Sequence, residues 1–285
     1  MPPSGRGPKL GVVAALENRD PAVAGRFYPG DPEVLAREIA ALSRISAGDR
    51  AVRPALGVMV PHAGYVYSGA IAGQTFASLS PVSRALCLAP NHTGRGARRA
   101  LFPGASFRLP GGDVLVDQEL TSALLQGASL SPDSAAHELE HAIEVELPFL
   151  RAQNSSVRIA ALCLSRLSLA ECEKLGAQLG RVLAECKPRP LLVASSDMSH
   201  FLSASEARRL DGLAIERILT LDPQGLYRTV VEHDISMCGF VPTTVMLFTA
   251  LALGARRAEL VRYGNSAERN GDEQRVVGYA GVIVE

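Results

Sequence analysis

Short apolar runs broken by polar turns recur along the chain. Leu56–Val60, Ala85–Ala89, Val157–Leu164 and Leu191–Ala194 have the length and composition of buried strands. Two β-branched runs, near Glu259–Arg262 and Val276–Val284, close the chain. Helical spacing fills the intervals. Pro32–Ser46 begins at the start signal Asp31-Pro32, and Gly69–Leu79 follows Ser68. Leu169–Cys186 follows Ser168, with Glu171 at the capping-box position; Ser203–Leu219 and Gly239–Leu253 are further helices. Strands alternating with helices predict an α/β fold: a mostly parallel central sheet flanked by helices. No internal repeat or linker divides the chain, so a single domain over 19–285 is expected, preceded by an N-terminal arm, 1–18, rich in Pro, Gly and Ser.

Three of the predicted strands run straight into polar clusters. Leu56–Val60 leads to Pro61-His62-Ala63-Gly64-Tyr65, Ala85–Ala89 to Pro90-Asn91-His92, and Leu191–Ala194 to Ser195-Ser196-Asp197-Met198-Ser199-His200. Ligands of open α/β sheets bind at the carboxyl ends of strands. If the three strands are parallel neighbours, the clusters meet at one edge.

Composition narrows the partners. Charge balances at zero and the arginines are scattered, so neither nucleic acid nor an anionic membrane is expected as the main partner. The longest apolar run, Val245–Leu253, is too short to span a bilayer, and the brief stretch Gly11–Leu16 lacks the features of a signal peptide. Five cysteines without a Cys-x-x-Cys pair argue for a reducing, cytoplasmic setting. An unidentified small molecule or peptide is the expected partner, and the sequence does not set the oligomeric state. No Gly-x-Gly-x-x-Gly, phosphate-binding P-loop or Gly-x-Ser-x-Gly elbow is present, which removes support for nucleotide and serine-hydrolase chemistry.

His62 and His92 each follow a strand. Imidazole is the commonest metal ligand, and two at equivalent strand ends favour ligation over two independent turn caps. Asp197 is a further ligand or orients one. His200, which a capping role explains poorly, is a candidate acid/base. Cys238 sits before a helix, where a lowered pKa would favour the thiolate as ligand or nucleophile; its bland reading is core filling. His137-Glu138-Leu139-Glu140-His141 matches the zinc-protease helix motif, with Glu138 as base. It is marked down because Glu140 is charged where that helix packs its core, and because Pro148 ends the helical pattern.

With these residues in place the chain resembles the Memo family, labelled AmmeMemoRadiSam system protein B in bacteria and archaea. The matching segments are Ala24–Pro29, Val60–Gly69, Leu88–His92, Glu140–Glu144 with Leu147-Pro148-Phe149, Ser195–His200, Cys238-Gly239, Tyr263–Ser266 and Val277–Ala280. The resemblance implies a fold like the catalytic subunit of class III extradiol dioxygenases, non-heme iron enzymes with a facial triad of two histidines and a glutamate. By match, His62 and His92 are the histidines, and Cys238 stands where the dioxygenase has its glutamate. Asp197 matches a further site residue, and His200 the acid/base histidine. His141 and Glu144 match a motif taken to line the site. Thiolate for carboxylate softens the donor set, so ring cleavage does not carry over. The expectation is a metal-dependent, oxidoreductase-like protein using iron or copper, with zinc as the other candidate. The rival expectations are a non-catalytic binding or adaptor protein, a hydrolase with Cys238 as nucleophile, and last a zinc protease.

Overall fold

The computed structural model describes residues 16–44 and 52–285. Of the expected N-terminal arm, residues 1–15 lie outside the described residues, as does the end of the helix expected over Pro32–Ser46. Asn18–Arg19 form a short parallel strand against Ser106–Phe107.

The architecture is α/β. A mixed sheet carries at its centre five parallel strands, in the order Val114–Val116, Arg158–Leu164, Arg84–Pro90, Leu191–Ser195, Gly57–Val60. Val276–Val284 then adds antiparallel to Gly57–Val60, pairs along its other edge with Ala258–Asn265, and near its start pairs with His200–Leu202. Alternate residues of the central strands feed opposite layers. Met59, Leu86, Leu88, Leu162, Leu192 and Ala194 pack on one face, in one core with residues of the helices Leu169–Ala184, Ala204–Leu219, Pro223–Glu232 and Phe240–Ala252. Val58, Val60, Ala85, Cys87, Ala89 and Val193 pack on the other, with residues of Pro32–Leu42, Ala70–Ala77 and Leu147–Gln153. Burial on both faces is why these strands read as continuous apolar runs rather than as alternation.

Several sequence signals act locally as expected. Asp31 accepts from the N–H groups of Glu33 and Val34 and starts its helix, and Ser168 and Glu171 form a reciprocal capping box. Two do not. The Ser68 hydroxyl donates to the Ala63 carbonyl instead of capping, and the segment Tyr65–Gly69 is a wide π turn before the helix Ala70–Ala77. Pro148 begins the helix Leu147–Gln153 rather than ending one, since a missing N–H is harmless in a first turn. The helices Gln118–Gly127 and Pro223–Glu232, which the apolar pattern did not single out, are capped by Asp117 and Asp222. No helix among the described residues is long and apolar enough to cross a membrane.

Candidate metal centre

Gly57–Val60, Leu191–Ser195 and Arg84–Pro90 are parallel neighbours, with Val60 opposite Ser195 and Leu88 opposite Ala194. The three polar clusters therefore leave the sheet at one edge, and the strand ends bring His62, His92 and Asp197 together.

His62 is buried, 2% exposed. Its backbone N–H donates to Asp197 Oδ1 at 2.9 Å, and its Nδ1 lies 2.7 Å from Ser195 Oγ. The Ser195 hydroxyl donates to the Ala142 carbonyl at 2.9 Å. Its one proton is thus committed, so the contact with His62 is an Nδ1–H donating to Ser195, and Nε2 keeps a free lone pair. That Nε2 is 3.4 Å from Cys238 Sγ and 4.0 Å from Asp197 Oδ2. Burial first, then repulsion from the neighbouring histidines, holds the His62 imidazole well below the usual histidine range.

His92 is held by Glu140, which accepts from its backbone N–H at 2.6 Å and from Nδ1 at 2.9 Å. The same carboxylate accepts from the backbone N–H groups of His141 and Ala142. A carboxylate on Nδ1 leaves Nε2 free, the arrangement in which histidines bind metals. Burial pulls the His92 pKa down, but the hydrogen bond and charge of Glu140 outweigh it and hold it above its ordinary value. Glu140 is held below its own, burial being overcome by His92 and the backbone donors.

His141 completes the cluster. Its ring stacks on His92 at 4.8 Å between centroids and meets His62 edge-on at 5.4 Å, with Phe27 packed behind it. Burial keeps its imidazole below the usual range. One ligand atom from each of His62, His92 and His141 falls within 4.8 Å of the others, so these three could hold a metal ion.

Cys238 and Asp197 flank His62. Asp197 N–H donates to Cys238 Sγ at 3.3 Å. The next residue, Gly239, lies against the Ser195 carbonyl and the Ser196 side chain; a Cβ there would overlap both. Its lack of a side chain lets Cys238 reach the strand ends. The lowered thiol pKa expected from the helix start does not hold: burial, then the Asp197 charge, pushes Cys238 well up, and the backbone donors offset this only in part. Burial likewise pushes the Asp197 carboxyl up to about 6, against the His62 N–H.

His200 stands at the edge. Its N–H donates to Ser236 Oγ at 2.7 Å and its Nδ1 to the Ser236 carbonyl at 2.9 Å, leaving Nε2 free. The pairing with Val276–Val284 shifts register between His200 and Leu202, and Phe201 in the bulge has φ of 63°, a strained value for a bulky residue. Beside Cys238 a cleft of about 390 Å³ opens between the strand ends and the helix start, lined by Pro90, Asn91, Ser165, Ser236 and Val241.

The His-Glu-x-x-His segment forms no helix; it runs through turns. His137 points away, with Nε2 donating to the Ala100 carbonyl at 2.9 Å, and Glu138 pairs with Arg95 at the surface. The zinc-protease reading fails on that geometry. Glu144, expected to line the site, is bound by Arg19, Tyr28 and the N–H groups of Ala22 and Val23. Sequence reasoning missed the roles of Glu140 and Ser195. Neither carries a local signal, because each acts on a histidine remote in the chain.

The family described as Memo-like protein matches residues 19–283. A MEMO1 family protein of Methanococcoides burtonii is 37% identical over 94% of this chain and all of its own length. One of Aquifex aeolicus is 37% identical over 93% of this chain and 98% of its own. A solved structure, an uncharacterized Escherichia coli K12 protein, aligns over 78% of this chain and 98% of its own with a TM-score of 0.44 and 13% identity. On the extent of the family match and of the relatives' identity, this chain belongs to the Memo-like family.

Proposed function

We propose that this chain is a metal-dependent oxidoreductase that holds iron or copper through His62 and His92, with Cys238 as third donor and Asp197 beside it. One observation carries the reading: His62 Nε2, its lone pair left free by Ser195, faces the imidazole cluster on one side and the Cys238 thiol, at 3.4 Å, on the other. An imidazole–thiol donor set suits iron, copper and zinc better than magnesium or calcium. Bound there, iron or copper supplies electron transfer and a Lewis-acid position.

The protein's own residues do the rest. Glu140 and Ser195 orient the two histidines. His200, with Nδ1 tied to Ser236, offers Nε2 for moving protons at the cleft. His141 is both a proton-handling neighbour and the alternative third donor. The two choices differ in protons. A thiol that burial keeps protonated must release its proton to ligate, whereas a neutral imidazole releases none.

Metal measured by mass spectrometry after anaerobic purification tests the site. The His62→Ala/His92→Ala variant is expected to lose the metal; unchanged content sinks the proposal. Loss on Cys238→Ser but not on His141→Ala, with about one proton released per ion loaded, identifies Cys238 as the third donor. Zinc alone, without oxygen consumption or reducible metal, removes the redox part. The cleft beside Cys238 supports a second reading, a non-catalytic protein binding a small molecule or peptide there. A partner retained by the His62→Ala variant, with no turnover in oxygen-consumption assays, favours it.

A further inference from the structure

Beneath the centre lies a second carboxyl group that none of the chemistry above uses. Glu146 is fully buried, and neither of its carboxyl oxygens has a hydrogen-bond partner. The side chains whose interactions bear on it are those of Ser195, Cys87, Tyr65 and Asp197. The Ser195 hydroxyl lies beside the carboxyl, but its proton goes to the Ala142 carbonyl and it donates nothing to Glu146. An anion so enclosed, with no cation and no donor aimed at it, is costly. Burial accordingly pushes the group well above the usual carboxylate range, against a smaller opposing effect of Ser195, and leaves a neutral acid with one O–H to place.

The acceptors nearby are few. Tyr65, whose proton goes to the Val145 carbonyl at 2.8 Å, and Asp197 bear on Glu146 through charge rather than as hydrogen-bonding neighbours, and a thiol is a weak acceptor. Ser195 Oγ has one proton and two lone pairs. The proton goes to the Ala142 carbonyl and one lone pair receives His62 Nδ1–H, so one lone pair remains.

We propose that Glu146 is a positioning residue of the centre: its carboxyl O–H donates to the remaining lone pair of Ser195 Oγ, which keeps the Ser195 proton on Ala142 and so keeps His62 in the Nδ1–H form. Without that donor the Ser195 hydroxyl is free to turn its proton towards His62 Nδ1. The ring then carries its proton on Nε2 and cannot ligate through it. The proposal rests on the reading of His62 as a ligand.

Three measurements on the full chain test it. The infrared difference spectrum between wild type and Glu146→Gln at neutral pH is expected to show the C=O band of a protonated carboxylic acid in the wild type only. Nitrogen NMR of the metal-free protein is expected to show His62 with the proton on Nδ1 in wild type and in Glu146→Gln, whose amide still donates, and mixed tautomers in Glu146→Leu. Affinity for iron(II), measured anaerobically, is expected to be near wild type in Glu146→Gln and weaker by about 10- to 100-fold in Glu146→Leu. Glu146→Leu should nonetheless melt no lower than wild type, which a merely structural role would not allow. Absence of the carboxylic-acid band overturns the proposal. So does a Glu146→Leu protein with wild-type tautomer and affinity, or a Glu146→Gln protein as impaired as Glu146→Leu. Should His62→Ala retain its metal, the metal reading fails, and the band and tautomer results still decide whether Glu146 orients His62.

Discussion

Glu144 and Glu146 are two residues apart, and both are fully buried. Glu144 accepts from Arg19 Nη1 at 2.7 Å, from the N–H groups of Ala22 and Val23, and from the Tyr28 hydroxyl at 2.8 Å. No group donates to Glu146. The turn-rich segment from His137 to Glu146 thus has two kinds of residue on one backbone. His137 and Glu144 form a clamp: Arg19 spans the His137 carbonyl and the Glu144 carboxylate, tying the segment to the N-terminal strand. Glu140, His141 and Glu146 face the centre, where hydrogen bonding is spent on orienting imidazoles. Burial alone therefore does not assign a role to an acidic residue; the donors around it do.

Breaking the clamp is expected to have the largest effect. Arg19→Met leaves Glu144 buried without its cation and should cost about 3–5 kcal/mol in urea denaturation, whereas Arg19→Met/Glu144→Leu together should recover most of it. Recovery tells a buried ion pair from simple loss of packing.

The next effect comes from acid. Burial, against the Ala100 hydrogen bond, pulls His137 down to about 4. A histidine neutral in the fold but protonated in the unfolded chain contributes stability that is present above about pH 6.5 and lost as pH falls towards 4, on the order of 3 kcal/mol in all. His62 and His141 shift the same way in metal-free protein. Thermal melts across this range should therefore fall less steeply for His137→Gln than for wild type.

On the centre's side, Glu140→Gln removes the carboxylate that holds His92 and should weaken iron(II) binding by about 10- to 100-fold in anaerobic titration, with a smaller change in melting temperature. The smallest effect belongs to the exposed pair Arg95–Glu138: Glu138→Ala should change stability by about 0.5 kcal/mol or less and leave metal content alone. A large metal effect there would revive the zinc-protease reading.

The comparison also marks how far the sequence could be read. The strands Gly57–Val60, Arg84–Pro90, Arg158–Leu164 and Leu191–Ser195 were visible because burial on both faces writes a continuous apolar run. Because they are parallel, their polar ends had to meet, which placed His62, His92 and Asp197 together. The segment from His137 to Glu146 was opaque. It has no period, its local match to a helical zinc motif was misleading, and Pro148 looked like a stop when it was a start. The lowered thiol pKa expected of Cys238 fails for a related reason: helix position is local, whereas the burial and the Asp197 charge that override it come from tertiary packing.

By itself, then, the sequence determined the layered α/β architecture, the edge at which chemistry is placed, and the two histidines at strand ends. Those follow from hydrophobic periodicity and from the direction of parallel strands, both short-range properties of the chain. The family resemblance pointed to His141, but only the tertiary structure decided that it joins them as a possible ligand while His137 does not. It alone set which nitrogen each imidazole presents, through Ser195 and Glu140, and it alone separated a satisfied Glu144 from an unsatisfied Glu146. Tautomer and protonation depend on which donors and acceptors lie within about 3 Å, and here those partners are supplied by residues far apart in sequence.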